Sequence, residues 1–117
     1  MDLRGVGFVA RENEVEDSGS EPGDDCYFLQ TDSSTYAGNE AEGCTGSGFA
    51  FVDNRDVILT GNEAEDNAQN GFEITSGSAI LADNEAEDNG RFDLCDQGDT
   101  TDGGGNDFGT TSFADCN

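Results

Sequence analysis

The stretch GFEITSGSAILADNEAEDN, residues 71–89, carries the pattern that decides the fold of this chain. Residues 71–75 alternate apolar and other side chains with a spacing of two, which is the pattern of a β-strand. Residues 76–78 have the composition of a turn, and residues 79–83 predict a second strand. Asn84 suits a corner, because asparagine tolerates left-handed backbone and bonds its own main chain. Residues 85–88 predict a third short strand, with two glutamates on one side and an alanine on the other.

The same pattern repeats along the chain. The motif Asn-Glu-Ala-Glu, with a looser first copy and a degenerate last copy, begins at Asn13, Asn39, Asn62, Asn84 and Asn106. The intervals are 26, 23, 22 and 22 residues, and aromatic-x-apolar triplets lie at residues 27–29, 49–51, 72–74 and 92–94. A register held through this many copies indicates a solenoid, in which the five asparagines form a structural stack.

The local period selects the type of solenoid. Three short strands and three turns in about 22 residues describe one coil of a right-handed parallel β-helix. We therefore predict an all-β, single-stranded solenoid over residues 1–117, with three strands per coil and about 4–5 coils of 22–26 residues. Residues 1–12 form a partial coil with a late strand at 6–10, coils start near residues 13, 39, 62 and 84, and residues 106–117 form a partial last coil.

A leucine-rich repeat is the alternative solenoid. Val57, Leu59, Asn62 and Ala64 fit part of its consensus, and its period also matches. That fold needs a helical or extended segment with further leucines after the asparagine, whereas residues 66–71 have the composition of a turn. The parallel β-helix is therefore favoured.

The repeat Gly-Phe-x-Ile-x-x-Ser, a turn, and Leu-x-x-Asn-x-Ala-x-x-Asn resembles the β-helix repeats of the NosD-type and pectate-lyase-like superfamily, over roughly residues 8–117. The resemblance implies the fold, and it leaves the activity open. Members of that superfamily include polysaccharide lyases, hydrolases, epimerases and many surface proteins of no known chemistry. Copper, which the NosD name suggests, is not implied here, because the chain has no histidine and its one methionine is Met1.

The charge of the chain is extreme. It has 27 acidic and 4 basic side chains, no lysine, and a net charge of −23. Such a composition is typical of disorder, but the repeat overrules that interpretation. It indicates instead a protein adapted to concentrated salt, as in a haloarchaeon. We expect no nucleic-acid partner, since the four arginines (Arg4, Arg11, Arg55, Arg91) are scattered, and no apolar run reaches the ~20 residues of a membrane span.

The predicted register places acidic side chains in outward columns. One column contains Glu14, Glu40, Glu63, Glu85 and Asp107, and a second contains Glu16, Glu42, Glu65 and Glu87. A solvated acidic face that needs no cofactor is the favoured interpretation. Calcium is the alternative, because stacked carboxylates offer the oxygen ligands of a hard cation. The candidate ligands are Glu40, Glu42, Glu63, Glu65, Glu85 and Glu87, together with Asp96, Asp99, Asp102 and Asp107 of a predicted glycine-rich loop.

The four cysteines predict disulfides. Cys95 and Cys116 are separated by 21 residues, nearly one coil, and would stack on adjacent coils. Cys26 and Cys44 lie near the start of the aromatic strand in successive coils and form the second predicted pair. Zinc and free buried thiols are the alternatives, with no Cys-x-x-Cys pair to support zinc. Disulfides indicate an oxidising location, extracellular or at the cell surface.

No stretch of the chain matches a catalytic signature, so we predict no catalytic residues. The expected function is a non-catalytic, structural or carbohydrate-binding segment of a secreted or cell-surface halophile protein, with a polysaccharide or surface glycan as partner. A fragment of a polysaccharide lyase or related glycan-active enzyme, and a calcium-dependent adhesion module, are the alternatives. We also expect a piece of a longer chain, since no capping helix precedes the first coil, or else end-to-end self-association.

Overall fold

The computed structural model describes residues 1–113 of the chain and contains sixteen short strands in that range. The first eight are β1 (Asp2–Val6), β2 (Val9–Arg11), β3 (Glu14–Glu16), β4 (Tyr27–Asp32), β5 (Thr35–Ala37), β6 (Glu40–Glu42), β7 (Phe49–Phe51) and β8 (Asn54–Thr60). The next eight are β9 (Glu63–Glu65), β10 (Phe72–Ile74), β11 (Gly77–Ala82), β12 (Glu85–Glu87), β13 (Leu94–Asp96), β14 (Asp99–Gly104), β15 (Asp107–Phe108) and β16 (Thr111–Ser112).

The strands wind into three parallel faces of a solenoid. Face A consists of β1, β4, β7, β10, β13 and β16; face B of β2, β5, β8, β11 and β14; face C of β3, β6, β9, β12 and β15. Faces A and B are joined where Asp32 of β4 pairs with Arg55 of β8. The predicted all-β parallel solenoid, with three strands per coil and about five coils, is confirmed, and the leucine-rich repeat is wrong.

The core is a set of stacked columns. The rings of Tyr27, Phe49 and Phe72 stack in parallel, with centroids 4.5 and 4.9 Å apart, and all three side chains are buried. Face B contributes the column of Tyr36, Leu59 and Leu81, and the Glu-Ala-Glu strands of face C contribute Ala41, Ala64 and Ala86. These columns bury similar residues against one another in consecutive coils, and this burial stabilises the fold by the hydrophobic effect despite the acidic composition.

The fourth aromatic triplet is wrongly placed by the sequence pattern. The pattern takes residues 92–94 as a strand, whereas the structure pairs Leu94 with Phe72 and begins β13 at that leucine. Phe92 lies in the preceding turn, where its backbone N–H donates to Oδ1 of Asn70. The interval of 22 residues between these coils sets the register, and the aromatic character of Phe92 does not override it.

Two predicted segments differ in the structure. Residues 6–10 do not form one strand: β1 ends at Val6, the chain turns at Gly7, and β2 begins at Val9, so the first coil contributes to all three faces. The predicted glycine-rich loop is also wrong, because residues 99–104 form strand β14 against β11. Parallel backbone pairing to the coil below satisfies the peptide groups, so a polar, glycine-rich sequence can still be a strand.

The corner between faces B and C uses left-handed backbone in every coil. Glu12, Gly38, Gly61, Asp83 and Gly105 occupy this corner with φ of 52°, 65°, 63°, 55° and 73°. Glycine adopts this conformation without strain, whereas a residue with a Cβ is strained there. Glycine and acidic residues therefore alternate at this position because the corner requires a left-handed backbone conformation, whichever side chain is present.

Candidate functional site

The asparagine stack is a continuous hydrogen-bonded ladder at the corner before face C. The side chain of Asn39 donates through Nδ2 to Oδ1 of Asn62, and Asn62 donates in the same way to Asn84, both at 3.0 Å. Asn13 begins the ladder and Asn106 ends it. The backbone N–H groups of the same residues donate to the same oxygens, so each Oδ1 within the ladder accepts two bonds.

The second amide proton of the four later ladder asparagines closes the corner. Asn62 donates to the carbonyl of Tyr36 and Asn84 donates to that of Leu59, both at 2.9 Å, and Asn39 and Asn106 do the same to the preceding coil. These side chains are almost fully buried in the middle coils, yet all their polar atoms have partners. The ladder is therefore a structural device that fixes the stacking register of the coils.

A second amide ladder runs at the corner after face C. Asn67 accepts from the backbone N–H of Cys44 and donates to Oδ1 of Asn89, which donates in turn to Asp93. The sequence prediction missed it. The dipeptide Asp-Asn occurs at residues 66–67 and 88–89, with the same interval of 22 residues as the first ladder. One coil earlier, the equivalent position is occupied by Cys44, so the repeat contains only two asparagines.

The disulfide between Cys26 and Cys44 is present, with the two Cα atoms 5.6 Å apart and both residues buried. Cys44 takes the place of an asparagine in the second ladder. The bond fastens residues 17–26, the long turn responsible for the 26-residue interval, to the next coil. Cys95 is also disulfide-bonded, and its predicted partner Cys116 lies outside the residues that the structure describes.

Face C places the predicted carboxylate columns in register. Glu40 pairs with Glu63, Glu63 with Glu85, and Glu85 with Asp107; Glu42 pairs with Glu65 and Glu65 with Glu87. The alanine between each pair of glutamates points inward and the carboxylates point to solvent. Face C thus presents two parallel rows of negative charge along the solenoid axis.

The carboxylates crowd most closely in the first two coils. One oxygen from each of Glu14, Glu16 and Glu40 lies within 4.8 Å of the others, and this is the group of potential metal ligands that the described residues bring together. A hydrogen bond to Glu14 and the charge of that neighbour raise the pKa of Glu16. Partial burial, with the charges of Glu14 and Glu63, raises the pKa of Glu40. The repeat predicts Glu14 and Glu16 in the columns, but these two are not among the predicted metal ligands.

The four aspartates predicted as a calcium loop are dispersed. Asp96 is only 5% exposed and continues the inward column of Ile74, and burial raises its pKa. Asp102 pairs with Leu81, and bonds from the Gly104 N–H and the Asn106 side chain lower its pKa. Asp99 and Asp107 lie on faces B and C. Asp96 and Asp102 instead line a cavity of about 290 Å³ beneath the last described coil.

Face B carries a shallow groove of about 330 Å³ across β8, β11 and β14. Val57 and Ala79, whose side chains are buried in the core, lie between its two walls. One wall contains Ile58, Ile80 and Thr101, and the other contains Asp56, Ser78 and Asp99. Ile58 and Ile80 are 41% and 44% exposed, and they pair with each other in consecutive coils. The sequence pattern alone does not predict these residues as a site.

The arginines stay apart in the fold. Arg4 lies over the ring of Phe28, with its guanidinium carbon 5.0 Å from the centroid, and forms a salt bridge of 3.1 Å with Asp2. Arg11 and Arg55 lie on β2 and β8, and Arg91 lies in the turn before β13. No helix in the described residues is long and apolar enough to cross a membrane.

Three parallel faces, inward columns of like residues and amide ladders at the corners define this chain as a parallel β-solenoid of the β-helix class. The family described as the right-handed β-helix region matches residues 2–114, and the chain belongs to that family. Searches of the curated proteins and of the solved structures found no match.

Proposed function

We propose that this chain is a non-catalytic, salt-adapted β-helix module of a secreted or cell-surface halophile protein, with a structural or carbohydrate-binding role. The observation that carries the proposal is the division of charge between the faces. Face C has two outward rows of carboxylates, whereas the central outward row of face B has none in five coils. A solenoid with two rows of carboxylates on one face and a charge-free row of side chains on another suits attachment to a neutral surface in brine.

The acidic rows support the salt adaptation. Carboxylates repeated at the ~4.8 Å spacing of paired strands repel one another in dilute buffer. At about 1 M salt the Debye length falls to ~3 Å, shorter than that spacing, so the repulsion is screened. The disulfides support the location, because bonds of this kind persist outside the reducing cytoplasm.

A calcium-dependent adhesion module is a second candidate. The convergence of Glu14, Glu16 and Glu40 supports it, since three carboxylates within 4.8 Å offer a hard cation part of its oxygen shell. A fragment of a polysaccharide lyase is the further alternative, and it requires a base and a cation positioned together at a groove. End-to-end association, or continuation of the solenoid in a longer chain, would extend both ladders and suits the structural role.

Far-UV circular dichroism tests the proposal directly. The chain is titrated with KCl and, separately, with CaCl₂ in chelator-cleared buffer at matched ionic strength. Folding that requires molar KCl and is indifferent to low-millimolar calcium supports salt adaptation. Folding in low-millimolar calcium, lost in Glu14→Gln and retained in the matched Glu21→Gln of the exposed turn, would instead assign the carboxylates to calcium. Release of unsaturated products from a polyuronate would contradict the non-catalytic role.

A further inference from the structure

We propose that the face B groove binds a neutral oligosaccharide, with Ile58 and Ile80 against the apolar face of the sugar rings and Asp56 and Asp99 accepting hydrogen bonds from their hydroxyls. This inference rests on the carbohydrate-binding role proposed above and names its site and ligand class.

The apolar wall is continuous and uncharged. Val9, Thr35, Ile58, Ile80 and Thr101 pair with one another in turn across five coils and form one outward row of β-branched side chains. On a chain with a net charge of −23, a charge-free row of this length is an exception to the composition. Exposed isoleucines in consecutive coils are typical of a binding surface when they lie beside a polar rim.

The opposite wall supplies polar groups at the same spacing. The hydroxyl of Ser78 accepts a bond from the backbone N–H of Asp56 at 3.1 Å, which leaves its own proton available. Asp99 pairs with Ser78 in the next coil, so carboxylate, hydroxyl and carboxylate follow one another along the groove. Bonds from a neutral hydroxyl to a carboxylate are charge-assisted and therefore strong.

The shape of the groove fits a saccharide chain. A pyranose ring has an apolar C–H face and a rim of hydroxyls, and the two walls match these two surfaces. The groove crosses three strands, about 10 Å at the ~4.8 Å strand spacing, which suits a short run of sugar rings along the solenoid axis.

The charge of the chain selects neutral sugars. Asp56 and Asp99 at the rim would contact the ligand directly and repel a uronate or sulfate there, at a range too short for molar salt to screen. A second copy of the chain is the competing occupant. Five strands at ~4.8 Å by six residues at ~3.3 Å give a face of about 480 Å², below the ~800 Å² per partner of a stable interface, so a second copy is disfavoured.

Chemical-shift mapping on the full chain in 2 M KCl, about the salt the proposal requires, tests the inference. Cellohexaose is the neutral probe and hexagalacturonate the anionic control. We expect cellohexaose to shift the amides of residues 56–58, 78–80 and 99–101 selectively, with hexagalacturonate silent. Ile58→Thr/Ile80→Thr should weaken cellohexaose binding about 10-fold. Threonine already occupies this row at Thr35 and Thr101, so the variant keeps the fold. Glu63→Gln on face C is the matched control and should bind as wild type.

The outcomes separate the two proposals. Cellohexaose shifts that map elsewhere, or selective binding of hexagalacturonate, would overturn the neutral-sugar groove and leave a carbohydrate-binding module. If neither saccharide shifts any amide of the folded chain, both the groove and the carbohydrate-binding role fail. Dimerisation seen by sedimentation and abolished by Ile58→Thr/Ile80→Thr would overturn the inference in favour of a second copy.

Discussion

The side-chain amide of Asn62 donates a hydrogen bond of 3.0 Å to Oδ1 of Asn84, the equivalent asparagine one coil later. Nδ2 of Asn62 also donates to the carbonyl of Tyr36, and Oδ1 of Asn62 accepts a hydrogen bond from Asn39. The side chain of Asn62 is only 1% exposed, and both of its polar atoms are hydrogen-bonded. The position requires a donor and an acceptor on one planar group, which asparagine provides and aspartate does not.

We therefore expect Asn62→Asp to destabilise the fold by at least about 3 kcal/mol at pH 7, because it buries a carboxylate facing two acceptors. Denaturant unfolding in 2 M KCl, about the salt that screens the carboxylates, measures the change. Asn13→Asp, at the half-exposed end of the same ladder, is the control and should cost far less. Equal losses at the two positions would show that burial of the ladder is not what makes asparagine necessary.

The disulfide between Cys26 and Cys44 can be tested against the hydrogen bonds of the second ladder, because Cys44 occupies an asparagine position of that ladder. Replacing both Cys26 and Cys44 by alanine should lower the free energy of unfolding by roughly 3 kcal/mol, because the unfolded chain regains the conformational entropy that closing a loop of this length removes. Cys26→Ala/Cys44→Asn should recover about 1 kcal/mol, because an asparagine at residue 44 can bond Asn67 and the carbonyl of Val15 as its counterparts do.

Thermal unfolding of the two double variants gives the comparison. A reducing agent applied to the wild type provides the control without substitution, although it also opens the bond at Cys95. If the alanine and asparagine variants unfold at the same temperature, an asparagine at residue 44 gains no stabilising hydrogen bonds from the second ladder.

The repeat predicted the first ladder and the alanine column because each depends on a four-residue motif spaced by about one coil. It did not predict the second ladder, because Cys44 interrupts a repeat of only two asparagines, Asn67 and Asn89. The polar residues at 96–102 predicted a loop, since no sequence rule shows that pairing with the coil below can hold Asp96 in an inward position. The face B groove joins residues of three coils that are each unremarkable alone.

The corner between faces B and C predicts a stabilising substitution. Asp83 has a φ of 55° at a position where neighbouring coils have Gly61 and Gly105. Asp83→Gly should raise the free energy of unfolding by about 0.5–1 kcal/mol, because it removes the strain of a Cβ in the left-handed region. Asp83→Asn removes the charge but retains the Cβ, so it separates strain from repulsion in the same denaturation assay.

The reciprocal change at the same corner checks the explanation. Gly61→Ala introduces no clash, since the nearest atom to the new Cβ would be the backbone nitrogen of Gly38 at 3.9 Å, an ordinary van der Waals contact. Any loss therefore comes from the backbone conformation, and we expect about 1 kcal/mol. A neutral effect of Gly61→Ala would contradict the strain argument even if Asp83→Gly were stabilising.

The acidic rows predict an unusual pH dependence. The pKa of Glu16 is raised by its hydrogen bond to Glu14 and by that neighbour's charge, and the pKa of Glu65 is raised by partial burial and by Glu87. A carboxyl whose pKa is higher in the folded state than its unfolded value of 4.5 destabilises the fold when ionised. In low salt, stability should therefore rise as the pH falls from 7 toward 4.5.

Below that range the trend should reverse, because Asp102 has a lowered pKa and its ionised form contributes stability that protonation removes. The free energy of unfolding, measured across this pH range in low salt and in molar KCl, shows both the rise and the reversal. The rise in stability with falling pH should be smaller in molar KCl, because salt screens the carboxylate rows of face C. Glu16→Gln should reduce the rise, whereas Glu21→Gln removes an equal charge from the exposed turn and should not. A stability that falls steadily from neutral pH in low salt would show that repulsion within face C does not limit the fold.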